Sequence, residues 1–112
     1  MIIVTGAVIA RQETREALLA ASLAHVRRSR AEPGCISHGV YIDAEAPLRL
    51  FFFEQWADRA ALKTHFAAPG SAEFMGKVRA LAASSTRIAT FDVSSPPPSL
   101  ATTGSAPPSA PA

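Results

Sequence analysis

Cysteine is almost absent from this 112-residue chain: Cys35 stands alone, so no disulfide can close within the chain. A lone thiol fits a reducing compartment, and the chain is expected to be cytoplasmic. Nucleotide-binding glycine patterns are missing, with no G-x-G-x-x-G and no G-x-x-x-x-G-K-[ST]. That leaves a phosphate-cradling loop without support. No G-x-S-x-G marks a hydrolase elbow either. The one long apolar opening, MIIVTGAVIA, has no basic flank and stops at Arg11. It is too short to cross a membrane and lacks a leader's pattern, so it is read as a strand. Charge of one sign is scarce as well. The net charge is +2, and only Arg27, Arg28 and Arg30 cluster. Without a basic stripe or interleaved exposed aromatics, a nucleic-acid partner is not expected.

What the chain does have is Leu48 to His65, LRLFFFEQWADRAALKTH. Strand alternation sends Leu48, Leu50, Phe52, Glu54 and Trp56 to one face and Arg49, Phe51, Phe53 and Gln55 to the other. Both faces are greasy, so both call for cover. A carboxylate between Phe52 and Trp56 is costly to bury without a partner. Asp58 is a suitable N-cap for the helix that follows.

The remaining elements follow in order. Ile2 to Ala10 is a strand rich in β-branched residues. Gln12 to Ala31 has helical period, with a stripe of Leu19, Leu23 and Val26, Leu18 at its edge, and basic residues in the last turn. Pro33 and Gly34 turn the chain out. Cys35 to Asp43 is a strand, and Asp43 to Pro47 a loop that returns it as a hairpin. The helix after Asp58 is expected to stop near Ala68 at Pro69 and Gly70, and Ser71 to cap a second helix to about Ala83. Thr86 to Val93 is the last strand. From Ser94 onward the chain holds six of its nine prolines among Ser, Ala and Thr. Residues 1–93 therefore read as one domain and 94–112 as a disordered tail.

The order β-α-β-β-α-β is that of an α+β, ferredoxin-like fold, with both helices on one side of the sheet. The bare face carries the second apolar surfaces of Ile2–Ala10 and Leu48–Trp56. A second copy packed sheet to sheet would cover it, so a homodimer is expected.

Three histidines carry most of the available chemistry, and they are too far apart in sequence for a local metal motif. Cys35 and His38, spaced C-x-x-H, fall on opposite faces of a regular strand, and no metal is expected there. His65 shares a helix face with Ala61, Leu62 and Phe66 and should point inward, toward the layer reached by Glu54 and Trp56. A buried carboxylate beside a buried imidazole either performs acid–base chemistry or only ties helix to sheet, and the residues allow both readings. His25 is either a pocket-rim group or a dipole-compensating residue at the end of its helix. The face of His38 depends on strand register.

The segments EPGCISHGVYID and LRLFFFEQWADRAALKTHFAAP, with Phe74 beyond them, resemble the antibiotic biosynthesis monooxygenase family, which includes quinol monooxygenases. The resemblance covers about residues 1–93, with matching positions at Glu32, Gly34, Glu54, Trp56, His65 and Phe74. It departs at Gly70, where relatives often carry a second histidine. It implies a dimeric α+β barrel with a pocket between sheet and helices. The implied activity is oxidation of a small phenol or hydroquinone by dioxygen, with no cofactor. On that reading His65 is the base, oriented by Glu54, with His25 in reserve. Trp56 and Phe52, with His38 and Phe66, would hold the aromatic ring. The alternatives are a haem-binding relative, an isomerase on the same scaffold, and a non-enzymatic small-molecule-binding or stress-response dimer.

Overall fold

A computed structural model describes residues 1–94. The Pro/Ser/Ala-rich segment expected to be disordered lies outside the described residues from 95 onward. Strand β1 (Ile2–Ala10) leads through a single 3₁₀ turn (Gln12–Thr14) into α1 (Arg15–Arg30). The hairpin of β2 (Cys35–Asp43) and β3 (Ala46–Trp56) follows, then α2 (Arg59–Ala67), α3 (Pro69–Leu81), β4 (Ala82–Ser85) and β5 (Ala89–Asp92). The sheet is antiparallel in the order β2-β3-β1-β4, with β5 also paired to β1. This is the expected ferredoxin-like α+β arrangement.

The alternation in β3 holds. Leu50, Phe52, Glu54 and Trp56 are buried toward the helices, whereas Phe51, Phe53 and Gln55 are half-exposed. Register places Glu54 between Val4 of β1 and His38 of β2. Two apolar clusters flank that row. One gathers Val8, Leu18, Val26, Leu50, Phe52, Phe74 and Val78, and the other Ile2, Val4, Trp56 and Leu62.

Several expectations are corrected. The buried stripe of α1 is Leu18, Ser22, His25, Val26 and Ser29, while Leu19 and Leu23 are only half-buried. The helix is thus rotated so that its serines face inward. Ser29 satisfies its hydroxyl on the carbonyl of His25 at 2.7 Å, a turn back along the helix. The hairpin turn is tighter than Asp43–Pro47. Only residues 44 and 45 separate the strands, and Asp43 Oδ1 accepts from the backbone N–H of Glu45 at 2.9 Å. Pro69 opens α3 rather than merely ending α2, since proline at N1 removes no helical hydrogen bond. Ser71 does not cap α3; its hydroxyl donates to the carbonyl of His65 at 2.6 Å and closes the end of α2. The last strand is two short ones. Between them the backbone N–H of Ala7 is met by Thr86 Oγ1 at 2.8 Å, a side chain in place of a ladder bond.

One turn controls how α2 is presented. Gly34 has φ of 84°, and a Cβ there would overlap the Cβ of Ala61 in α2. Left-handed backbone and close helix approach both require glycine at this position. Gly34→Ala should therefore cost at least about 2 kcal/mol and lower the melting temperature by roughly 8 °C or more. Thermal melts by circular dichroism check this, and a change within two or three degrees would count against it.

Candidate functional site

His25, His38 and His65, distant in sequence, meet between the sheet and the helices. Their ring centroids are 5.4 Å (His25–His38), 5.3 Å (His25–His65) and 5.5 Å (His38–His65) apart. All three are buried. His25 comes from the inward face of α1, so it is neither a surface nor a helix-end residue. His38 comes from β2, where the register opposite Glu54 turns it to the helix side. His65 comes from the last turn of α2.

Each ring has a different environment. His65 Nδ1 lies 2.7 Å from Glu32 Oε1, and a carboxylate can only accept, so Nδ1 donates. The Nε2 lone pair is left facing Glu54 Oε1 at 3.9 Å. The residue that orients His65 is therefore Glu32, just past the end of α1, and not Glu54. His25 Nδ1 accepts from the Arg28 guanidinium at 2.9 Å, which places its own proton on Nε2. His25 also stacks on Phe74, with centroids 4.3 Å apart and planes 8° from parallel. His38 Nε2 approaches Glu54 Oε2 at 3.3 Å, too far off line for a hydrogen bond. Glu54 itself accepts from Trp56 Nε1–H at 2.9 Å.

These surroundings set the charge states. Burial drives the pKa of His25 down, helped by His38, His65 and Arg28 nearby, from 6.5 to about 3. Burial alone would raise the carboxyl of Glu54. The proximity of His38, the Trp56 N–H and His65 outweighs it and holds the group below its ordinary 4.5. At neutral pH the site thus carries a buried anion beside a neutral imidazole.

A cavity of about 350 Å³ opens onto the site. His25, Glu54 and His65 are its titratable residues, Phe52, Phe74 and Val8 belong to its apolar wall, and Phe66, Met75 and Ile88 are its exposed apolar residues. Among the candidates for holding a ring, Phe52 and Phe66 line the cavity. Trp56 and His38 do not: Trp56 is wholly buried, 4.5 Å from the ring of His65, and His38 sits edge-on to the indole. The sequence marks Glu32 only as a matching position of the family resemblance, and gives no site role to Glu32, Arg28 or Ser71. The signal for Glu32 was present in E-P-G, a carboxylate two residues before an obligatory turn. The contacts of Arg28 and Ser71 depend on helix packing that no local pattern reveals.

Cys35 and His38 depart from the opposite faces expected of a regular strand. The register slips between Cys35 and Ser37, so Cys35 pairs with Trp56 and His38 with Glu54. Both lie on the helix side, contrary to simple alternation, because a bulge adds one residue to the strand. Among the described residues the cluster able to hold a metal comprises the three histidines and leaves Cys35 out.

Comparison with known proteins agrees with this architecture. Residues 1–77 match the family described as antibiotic biosynthesis monooxygenase. The chain belongs to that family. Uncharacterized protein sll1783 of Synechocystis sp. is 40% identical over 76 residues, 68% of this chain and 52% of the relative. The chain thus spans about half the length of this curated relative. The solved structure of Rv0793 from Mycobacterium tuberculosis is 26% identical with a TM-score of 0.77, covering 85% of this chain and 96% of that one. A Deinococcus radiodurans structure, a candidate antibiotic biosynthesis monooxygenase, has a TM-score of 0.82 at 24% identity over 86% of this chain and 95% of that one. The latter shows the fold alone. Among the described residues no helix is long and apolar enough to cross a membrane.

The lowered pKa of His25 has a consequence for stability. The unfolded chain takes up the His25 proton near pH 6.5 and the folded chain only near pH 3. Between those values the unfolded state binds more protons, so stability falls as the pH falls. Glu54 adds to the loss below about pH 4.5, where its unfolded form protonates first. The melting temperature should decline from about pH 6.5 downward, with His25 contributing up to about 1.4 kcal/mol per pH unit. His25→Gln should flatten the limb between pH 6.5 and 5, as scanning calorimetry would show. An unchanged limb in the variant would remove His25 as its source.

Proposed function

We propose that this protein is a cofactor-independent monooxygenase that oxidises a small, uncharged phenol or hydroquinone with dioxygen. The supporting observation is the Glu32–His65 pair: the oriented ring lines a largely apolar cavity, and its unprotonated Nε2 is 3.9 Å from Glu54 Oε1. Membership of the monooxygenase family supports the same reading. The cavity lies toward the small end of the range for ligand pockets. Among the described residues no lysine or arginine is on its wall, which suits a neutral ring better than a carboxylate or phosphate ester.

His65 Nε2 takes the phenolic proton, and Glu32 stabilises the imidazolium that forms. His25, with its proton on Nε2, is placed to donate to an oxygen of the ring or of the reduced dioxygen. The deprotonated hydroquinone passes an electron to dioxygen, and the radical pair combines at a ring carbon. Loss of water from the hydroperoxide leaves a carbonyl. One oxygen atom thus stays on the ring and the other leaves as water, with all the electrons coming from the substrate. Phe52 and Phe74 hold the ring and exclude solvent. Behind the wall Trp56 fixes Glu54 through its indole N–H, and the rings of Trp56 and His38 pack against His65.

The proposed assembly is a two-fold homodimer. Ile3, Phe51, Phe53, Tyr41 and Phe91 share the sheet face away from the helices, and Tyr41 and Phe91 are exposed. An apolar face of this extent is what a second sheet would cover. Sedimentation at micromolar concentration should give twice the 11.8 kDa mass of one chain. Phe53→Arg should shift that toward the monomer, and a monomeric wild type would end the dimer proposal.

Oxygen uptake with a panel of hydroquinones tests the reaction. His65→Ala should lower kcat about a hundredfold or more, the usual scale for loss of a general base. Glu32→Gln should have a smaller effect and move the acidic limb of the pH–rate profile. Glu54→Gln should change kcat less than His65→Ala. Full turnover per folded molecule in His65→Ala, with melts as the folding control, would exclude His65 from the mechanism.

A further inference from the structure

We infer that His25, His38 and His65 form a binding site for one divalent first-row transition-metal ion. The inference does not rest on the proposed oxidation. Three rings from three different elements make a near-equilateral triangle, and one nitrogen of each lies within 4.8 Å of the others. His38 is the most telling member. It is 2% exposed, and among the described residues neither ring nitrogen has a well-aligned hydrogen-bond partner, Nε2 having only Glu54 Oε2 at 3.3 Å. A buried imidazole left unsatisfied costs stability unless something fills its lone pair or takes its proton.

The donor chemistry selects the ion. Three imidazole nitrogens suit zinc, cobalt, nickel or copper, and not the all-oxygen preference of magnesium or calcium. Glu32 on Nδ1 of His65 supplies the outer-shell carboxylate that fixes a ligating ring and leaves Nε2 for the metal. Glu54, 3.3 Å from His38 Nε2 and 3.9 Å from His65 Nε2, brings negative charge to the same point and can serve as a fourth ligand. Tetrahedral bonds of about 2.0–2.1 Å place nitrogens roughly 3.3 Å apart, so the rings must close inward by about an ångström. The cavity beside His25 and His65 provides the way in.

One group opposes binding. The Arg28 guanidinium holds His25 Nδ1 at 2.9 Å, which fixes the proton on Nε2, and it adds positive charge. For His25 to ligate through either nitrogen, Arg28 must release it, keeping only its bond to the Gly70 carbonyl at 2.8 Å. Removing Arg28 should therefore tighten the site.

The composition makes the test selective, because the chain has only these three histidines and one cysteine. The full chain is titrated with Co²⁺, with Zn²⁺ as competitor. The expected result is one equivalent per chain with visible bands of a four- or five-coordinate nitrogen site. Paramagnetically shifted ring protons from all three histidines should appear in the wild-type NMR spectrum. Arg28→Leu should tighten Co²⁺ binding several-fold, and His38→Asn should weaken it at least tenfold. The wild-type spectrum decides the matter if the His38 variant does not fold. Absence of saturable binding, a Cys35 thiolate charge-transfer band, or fewer than three shifted histidines would overturn the site. Binding untouched by a folded His38→Asn would do the same. An ion there would occupy the Nε2 lone pair that the oxidation uses. Metal binding and metal-free oxygen uptake are therefore separate readouts, and either can fail without the other.

Discussion

A single carboxylate in an apolar strand dictates the middle of this molecule. Glu54 points to the helix side of β3 because its neighbours Phe52 and Trp56 must, and β-structure gives it no other choice. An anion at that depth is tolerable only with partners. The indole N–H of Trp56 is supplied two residues further along the same strand face, at 2.9 Å. Histidines arrive from β2 and α2, and His25 of α1 completes the group. The two apolar clusters are the packing left on either side of this polar row. Had Glu54 been leucine, sheet and helices could have closed over one continuous core, with no need for imidazoles between them.

How much of this was legible depended on whether a residue's fate was set locally. The inward direction of Glu54 followed from strand period alone, and that of His65 from its place among Ala61, Leu62 and Phe66. The rotation of α1 did not follow, because hydropathy ranks Leu19 and Leu23 above Ser22 and Ser29. Close packing instead selects the small serines, which let the helix approach the sheet, and Ser29 hides its hydroxyl on its own helix. Regular alternation puts Cys35 on the face opposite His38, and one bulged residue reverses it. Such a slip leaves no mark in composition. Glu32 was visible as a turn residue, but its reach to His65 across 33 positions of sequence is a property of the assembled fold.

The turns deliver precision that the strands alone could not. Gly34 lets α2 come within touching distance of the β2 entry, and the backbone N–H of Ala57 returns to the Gly34 carbonyl at 2.8 Å. At the other end a single residue, Ala68, separates α2 from α3. Ser71 then ties the new helix to the His65 carbonyl. His65 is thereby held at both ends of its environment, through its ring by Glu32 and through its backbone by Ser71. A catalytic or ligating group needs this kind of support, since a loosely held imidazole loses geometry before it loses chemistry.

Gly70 shows how the lack of a side chain is used. With no side chain at that position, the Arg28 guanidinium occupies the space a Cβ would fill and donates to the Gly70 carbonyl. The same guanidinium then reaches His25 and sets its tautomer. A histidine at position 70 would displace Arg28, and His25 would lose the donor that keeps its proton on Nε2. Here the cluster instead has one histidine oriented by an accepting carboxylate and one by a donating guanidinium. His65 is prepared to accept a proton and His25 to give a hydrogen bond, although the two rings are chemically identical. The asymmetry comes entirely from Glu32 and Arg28, which lie outside the cavity wall and four residues apart in the sequence.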